Sequence, residues 1–243
     1  MKSRVVIYGK TDEKALDIYT YTAPKESPAS INDGQDLEDS TAVVMANLTS
    51  DPTDLINEYD GIIVACFSVH PLVSRLSSHF QGRVVVTGIF EASILTSLSL
   101  LSPYPTTEGS SAWGIVTTGK YWETHLSDGV KTFLGQDPSS SSTKFAGVFS
   151  TGLNAGDFHG DIPAEVIKGK LEDAARKLLT ITSVGCVVMG CAGMAGLEEI
   201  IRETAVKEYG EERGNRVCIV DGVKAGVVLL NQTIKARAMF QNS

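Results

Sequence analysis

Four cysteines are the residues of this sequence best able to do chemistry: Cys66, Cys186, Cys191 and Cys218. None belongs to a Cys-x-x-Cys motif, and no histidine near Cys186 or Cys191 completes a zinc-binding set. In a reducing compartment each is expected to be a free thiol used in packing or in chemistry. Cys186 and Cys218 lie inside apolar runs, where cysteine behaves as a small hydrophobe. Cys66 and Cys191 instead follow such runs, which favours chemistry.

Two thiols at equivalent positions suit proton transfer at an acidic carbon. One sulfur removes a proton from one face and the other returns a proton to the opposite face, so one must be a thiolate and the other a thiol. In open parallel sheets, ligands bind outside the carboxyl ends of the strands. Helix N-termini and free backbone N–H groups there are expected to lower a thiol pKa from its usual value of about 8.5.

The elements that must position these thiols are short apolar runs without alternation, a pattern typical of strands buried on both faces. Between them lie segments whose apolar residues recur three or four apart, which predicts helices. Strands alternating with helices predict an α/β fold with parallel sheets flanked by helices. The predicted strands are 4–8, 61–65, 83–87, 114–118, 145–150, 183–189 and 216–220, and the predicted helices include 12–19, 71–80, 164–180 and 196–209.

The sequence also echoes itself at about half its length. The segment 6–10 (VIYGK) is matched by 116–120 (VTTGK), and 62–66 (IIVAC) is matched by 187–191 (VVMGC). Two similar lobes related by a pseudo-twofold axis would explain both matches. On this interpretation, one lobe comprises residues 1–100 plus 222–243 and carries Cys66, and the other comprises residues 101–221 and carries Cys191.

Three further features can each be interpreted in two ways, as part of a functional site or as part of the local structure. The glycines at 190, 193 and 196 do not form a dinucleotide-binding motif, and they indicate either a backbone nest for an anionic oxygen or ordinary turns. Glu91, just past a predicted strand, either caps the following helix or holds a polar group of a substrate. His70 invites a Cys-His dyad with Cys66, but it precedes Pro71 at a predicted helix start and has no evident carboxylate partner.

Composition limits the possible partners. The 243 residues carry a formal net charge of -8, with no block of Lys or Arg, which disfavours nucleic acid and membrane surfaces. The apolar stretch at the N-terminus is too short for a signal peptide. A cytoplasmic protein with a small-molecule substrate is expected, and a homo-oligomer is compatible with the sequence.

A set of motifs along nearly the whole chain resembles the aspartate/glutamate/hydantoin racemase superfamily. The likeness is greatest to hydantoin racemases, and to the fungal branch associated with allantoin breakdown. The motifs that carry it are 28–31 (PASI), 65–68 (ACFS), 70–72 (HPL), 86–93 (VTGIFEAS), 114–119 (GIVTTG), 121–123 (YWE) and 190–195 (GCAGMA).

This resemblance implies two α/β lobes with an active site in the cleft between them. It also implies an isomerase that uses Cys66 and Cys191 as acid and base, with no pyridoxal phosphate, other cofactor or metal. The expected substrate is a 5-substituted hydantoin or allantoin, racemised at C5; the alternatives are a catalytically silent ureide-binding homologue, an acidic amino-acid racemase, and decarboxylation or isomerisation on the same scaffold. It also implies a set of substrate contacts, mainly through backbone groups: Tyr8, Phe67, Ser68, Val69, Glu91, Thr117, Thr118, Gly119, Ala192 and Gly193.

Two departures from the family pattern lie beside the expected site. Similar proteins commonly carry Asn-Pro-Asn where this chain has Tyr8-Gly9-Lys10, and aspartate where it has Val69. The changes remove the amide and carboxylate groups of the family pattern, so the identity of the substrate is less well defined than that of the two cysteines.

Overall fold

A computed structural model describes residues 4–9, 17–50, 58–104, 112–137, 139–140, 142 and 144–241, the first range by its backbone. The chain divides into two compact units, which we call unit 1 (Met1–Ala92 with Val223–Ser243) and unit 2 (Ser93–Gly222). The first boundary falls inside a helix, Ile89–Leu100. The boundaries expected from the sequence, 1–100 with 222–243 against 101–221, stay a prediction.

Unit 1 is built on a four-stranded sheet with the strand order β2-β1-β3-β4. Strands β3 and β4 are parallel, whereas β1 runs antiparallel to both β2 and β3. The strands are β1 (Arg4–Gly9), β2 (Ile18–Thr22), β3 (Tyr59–Val64) and β4 (Val85–Gly88), and the helices are α1 (Gly34–Leu48), α2 (Pro71–Phe80) and the start of α3 (Ile89–Leu100).

This sheet differs from the sequence-based expectation at β1 and β2. A parallel pair needs a crossover of a dozen or more residues, and fewer than that separate Gly9 from Ile18, so β1 and β2 pair antiparallel. The helix predicted over residues 12–19 is wrong at its end, because Ile18 and Tyr19 belong to β2. Its residues 12–16 lie outside the described part of the chain.

Unit 2 contains a fully parallel sheet with the strand order β6-β5-β7-β8. Its strands are β5 (Ala112–Thr117), β6 (Phe145–Ser150), β7 (Val184–Gly190) and β8 (Cys218–Asp221). Its helices are α4 (Tyr121–Phe133), α5 (Ala164–Ile181), α6 (Glu198–Tyr209) and α7 (Glu211–Gly214), with 3-10 turns at Ala155–His159 and Ala192–Met194; helix α8 (Gly222–Gln241) then returns to unit 1.

Helices cover each sheet, and in each unit a leucine of one helix packs directly on a glycine of a strand. In unit 2, every residue of β5 is buried, and a side chain added at Gly114 would collide with Leu178 of α5. In unit 1, an ideal Cβ on Gly61 would lie 2.7 Å from Leu230 of α8. Leu178 and Leu230 are both fully buried. This packing of helices on two sheets confirms the α/β fold class.

The two sheets share one strand order. In each unit, the second strand in sequence lies at one edge, and the first, third and fourth strands follow it across the sheet. Cys66 follows the third strand of unit 1, and Cys191 follows the third strand of unit 2. No helix in the described ranges is long and apolar enough to cross a membrane.

Candidate active site

In unit 2, all four strands are parallel and their carboxyl ends meet at one edge of the sheet. Cys191 stands at this edge, directly after β7. The buried Thr117, at the end of β5, donates its hydroxyl hydrogen to the carbonyl of Gly190 at 2.9 Å. This hydroxyl fixes the strand end that precedes the cysteine, and the expected contact of Thr117 with a substrate stays a prediction.

Cys191 opens a tight 3-10 turn that wraps around its own sulfur. The Gly193 N–H donates to Cys191 Sγ at 3.3 Å, and the Met194 N–H donates to the Cys191 carbonyl at 3.0 Å. Burial raises the pKa of the Cys191 thiol, and the N–H groups of Gly193 and Met194 oppose this rise. The expectation of a lowered pKa is therefore wrong for Cys191, because the sulfur loses more hydration than the turn replaces.

The loop after β5 is bound to the loop after β6. The carbonyl of the buried Thr118 accepts hydrogen bonds from the Gly152 N–H at 3.0 Å and from the Thr151 hydroxyl at 3.3 Å. The Gly119 carbonyl accepts from the Trp122 N–H at 3.1 Å at the start of α4. The carbonyls of Thr118 and Gly119 thus accept hydrogen bonds within the protein.

In unit 1, Cys66 is half-buried two residues beyond the end of β3. Its sulfur lies 3.4 Å from the hydroxyl oxygen of Ser68, and the Ser68 N–H donates to the Cys66 carbonyl at 3.1 Å. The Phe67 ring packs edge-to-face on Phe90, with 5.6 Å between ring centroids. Val69 is 40% exposed, and its apolar side chain offers no hydrogen bond.

The hydrogen bonds around the two cysteines limit which backbone N–H groups are left to bind a substrate oxygen. The N–H two residues beyond each cysteine, at Ser68 and Gly193, is bonded to the cysteine itself. In the described part of the chain, no hydrogen bond is seen for the N–H groups of Phe67 and Ala192. These two remain candidates for binding a substrate oxygen.

His70 is buried and caps helix α2. Its Nδ1 accepts from the Leu72 N–H at 3.2 Å, so a neutral ring carries its proton on Nε2, which is buried without a partner among the described residues. Burial lowers the pKa of His70 to about 4. A ring with its free lone pair already engaged is a poor base for a thiol, so this geometry disfavours a Cys66–His70 dyad.

Glu91 lies in the first turn of α3, beside the end of β4. Its carboxylate accepts from the backbone N–H groups of Gly88 and of Glu91 itself, which supports the helix-capping reading. Oε2 is buried without a partner among the described residues. Burial raises the pKa of Glu91 to about 7, against the weaker effect of the two N–H groups.

Tyr8 lies far along the sheet from Cys66. Because β1 is antiparallel to β3, Tyr8 pairs with Gly61, near the start of β3, while Cys66 follows its end. This register does not favour the expected contact between Tyr8 and a substrate at Cys66, and Lys10 lies outside the described residues.

The other two cysteines behave as packing residues. Cys186 is fully buried in β7, opposite Cys218 of β8, and burial raises its pKa to about 12. A thiol with so high a pKa is protonated near neutral pH and is a poor base. Among the described residues, no group of three or more His, Cys, Asp or Glu could hold a metal ion.

One residue that the sequence motifs did not mark lies beside Cys191. An ideal Cβ on Gly193 would stand 3.4 Å from Cys191 Sγ and 3.6 Å from Nε2 of His159, a residue of the turn after β6. The sequence did contain a signal for His159. Strands β6 and β7 are parallel and belong to one sheet, so the loop after β6 must lie at the same edge of the sheet as Cys191.

The fold and these sites define a class, an α/β protein with a cysteine-led turn after the third strand of each sheet. The model of the Asp/Glu/Hydantoin racemase family matches residues 7–230, and the chain belongs to this family. The resemblance recognised in the sequence is thereby confirmed.

Relatives with similar sequences include two yeast proteins. The Schizosaccharomyces pombe protein C1F7.10 is 33% identical over 214 residues, covering 88% of this chain and 78% of the relative. Protein DCG1 of Saccharomyces cerevisiae is 26% identical over 214 residues, covering 84% of this chain and 82% of the relative.

Solved structures of similar fold include two bacterial allantoin racemases. The Klebsiella pneumoniae structure has a TM-score of 0.63 and 19% identity, covering 88% of this chain and 74% of that one. The Pseudomonas fluorescens structure has a TM-score of 0.65 and 20% identity, covering 90% of this chain and 78% of that one. At this level of identity, the likeness shows a shared fold.

Proposed function

We propose that this protein racemises a hydantoin-type ring at C5, with Cys66 and Cys191 as the two proton-transfer groups and without a cofactor. The observation that carries the proposal is the repeated placement of the two thiols, each leading a tight turn after the third strand of its sheet. Membership of the Asp/Glu/Hydantoin racemase family supports the reaction class.

In the proposed reaction, a thiolate takes the C5 proton from one face of the ring while the opposite thiol delivers its proton to the other face. The electron pair left by the broken C–H bond is delocalised onto the neighbouring carbonyl oxygen and then forms the new C–H bond. The two sulfurs exchange protonation states in each turnover, so the enzyme that has converted one enantiomer is ready for the other.

Cys191 is the thiol of the resting pair in this proposal. Burial raises its pKa, so it keeps its proton near neutral pH. Cys66 would then supply the thiolate, beside the hydroxyl of Ser68, which lies 3.4 Å from its sulfur and can donate to it.

The proposed substrate is allantoin or another 5-substituted hydantoin. Support comes from the fold shared with two proteins described as allantoin racemases. The exposed Val69 favours a substrate whose ring or substituent needs no hydrogen bond at that position.

The test follows one enantiomer of allantoin or of a 5-substituted hydantoin in heavy water, with freshly reduced protein. We expect optical rotation to decay while deuterium enters C5, because each turnover delivers a proton from a solvent-exchanged thiol. Cys66→Ser and Cys191→Ser should each abolish two-way racemisation. Cys218→Ser is the matched control, since this half-buried thiol lies inside unit 2 on β8, and it should retain activity.

A second candidate function is a ureide-binding protein without turnover, which Val69 favours because similar proteins carry an acidic group there. Tight binding of allantoin without deuterium exchange would select it. Exchange confined to aspartate or glutamate would instead assign the protein to the acidic amino-acid racemases.

A further inference from the structure

The turn that carries His159 is built into the carboxyl edge of the unit 2 sheet. The Thr151 N–H, directly after β6, donates to the Thr117 carbonyl at 2.8 Å. At the start of the turn, the Asn154 N–H donates to Asp157 Oδ2 at 2.7 Å, and the Asp157 N–H returns a hydrogen bond to the Asn154 carbonyl at 3.1 Å. The turn is therefore fixed to the strand ends that also hold Cys191.

Phe158 anchors this turn in the core. Its side chain is buried in the same apolar cluster as Met194, which belongs to the turn around Cys191. The next residue, His159, is exposed. The His159 ring lies near the cysteine turn, because its Nε2 would stand 3.6 Å from a Cβ on Gly193.

Gly193 leaves a gap between the two functional groups. Its φ is not positive, so its backbone conformation does not require glycine. A Cβ at this position would stand 3.4 Å from the Cys191 sulfur, 3.4 Å from the Ala155 carbonyl oxygen and 3.6 Å from His159 Nε2. The missing side chain thus opens a space bounded by a thiol, a carbonyl and an imidazole nitrogen.

The reaction proposed above needs a donor near this space. When C5 loses its proton, negative charge develops on the neighbouring carbonyl oxygen, and preorganised donors there stabilise the transition state. On the Cys191 turn, the N–H groups of Gly193 and Met194 are bonded to Cys191 itself. The turn therefore offers few donors to a substrate oxygen.

We propose that His159 is a substrate-binding residue of the Cys191 site, donating from Nε2 to the carbonyl oxygen that flanks the reacting carbon of a cyclic ureide. Within the described ranges, no hydrogen bond to the His159 ring is seen, so Nε2 is available to a substrate. This inference rests on the proposed racemase function. It adds to that function a substrate-binding residue that lies outside the family motifs.

The test compares His159→Ala and His159→Gln with wild type in the deuterium-exchange assay. We expect His159→Ala to lower kcat/KM by about 100-fold, mostly through kcat, because the donor acts on charge that develops in the transition state. Glutamine keeps a donor, so His159→Gln should recover activity to within about tenfold of wild type. Added imidazole should partly restore the alanine variant.

Gly156→Ala is the control for disturbance of the turn, because nothing lies within 4 Å of the added methyl group, and it should keep wild-type kinetics. Gly193→Ala fills the gap with contacts no closer than 3.4 Å, so the fold should survive while activity falls at least as far as in His159→Ala.

Wild-type kinetics in both His159→Ala and Gly193→Ala would overturn the inference. If Cys191→Ser were inactive in the same experiment, the racemase function would stand without the histidine. Absence of racemisation by wild-type protein on any hydantoin or ureide would instead refute the proposed function itself.

Discussion

At the scale of single residues, two buried titratable groups of unit 1 depend on pH in opposite ways. The pKa of Glu91 is raised to about 7 and that of His70 is lowered to about 4, both by burial. A group with a raised pKa binds its proton more tightly in the folded state, and a group with a lowered pKa binds it less tightly. The neutral forms of both residues are therefore the ones that the fold stabilises.

The substitution Glu91→Gln measures how the Glu91 carboxyl group contributes to the pH dependence of stability. The stability contributed by protonated Glu91 is fully present below the ordinary pKa of 4.5 and is lost as pH rises through about 7. Glutamine stays neutral at all these pH values. The free energy of unfolding of the variant, measured relative to that of wild type, should therefore rise by up to about 3 kcal/mol between pH 4.5 and 8. Urea unfolding at several pH values measures this difference.

His70 is present in both proteins, so its own pH dependence cancels in the comparison. Parallel stability curves for wild type and Glu91→Gln would contradict the burial of an unpartnered carboxylate oxygen at this position.

The residue scale also shows the limit of sequence reasoning about the site. Cys66 and Cys191 were found because a strand end is visible in the pattern of apolar residues. The partner of the Thr117 hydroxyl, the Gly190 carbonyl, lies 73 positions away, and only the folded sheet brings the two together. His159 was missed because no motif contains it.

At the scale of elements, the packing of β7 against β5 determines where Cys191 lies. An ideal Cβ on Gly190 would stand 2.7 Å from Ile115 and 3.0 Å from both the Thr117 side chain and the Val116 carbonyl. Glycine at this position lets the two strand ends approach closely. The position of the thiol therefore depends on a residue that does no chemistry.

Gly190→Ala should push the end of β7 away from β5. We expect a loss of about 1–3 kcal/mol in the free energy of unfolding, as for other overpacked cores, together with a loss of racemisation. Gly169→Ala is the control, because this glycine lies in α5 with open space around it, and it should be neutral or more stable. Equal activity in the two variants would show that the strand end tolerates displacement.

Most elements were predictable because their apolar periodicity is strong, as in α5 and β7. Strand β2 was missed because it is an edge strand with mostly exposed residues, so no buried face marked it. The signal that remained was its run of aromatic and β-branched residues, Ile18-Tyr19-Thr20-Tyr21-Thr22. The antiparallel direction of β1 has no counterpart in the local sequence pattern.

At the scale of the whole molecule, each of the two compact units sets a buried leucine against a strand glycine. Leu178 serves unit 2 and Leu230 serves unit 1. If the units open separately, damage to one core should leave the protection of the other largely intact.

Hydrogen exchange on Leu178→Ala and Leu230→Ala tests this separation. Each substitution should cost about 2–5 kcal/mol in its own unit. Leu178→Ala should speed amide exchange in β5 and β7, and Leu230→Ala should speed it in β3 and β4. Equal acceleration throughout the chain in both variants would show that the two units unfold as one.

The return of α8 to unit 1 has a consequence for synthesis on the ribosome. All of Ser93–Gly222 is translated before Val223, so unit 2 has its full set of residues while α8 is still inside the exit tunnel. Two residues that complete unit 1 arrive after all of unit 2: Leu230, which covers Gly61, and Arg237, which donates to the Gly82 carbonyl at 2.9 Å. The half of the protein made first therefore waits for helix α8, and a nascent chain stalled within α8 would leave β3 of unit 1 uncovered at Gly61.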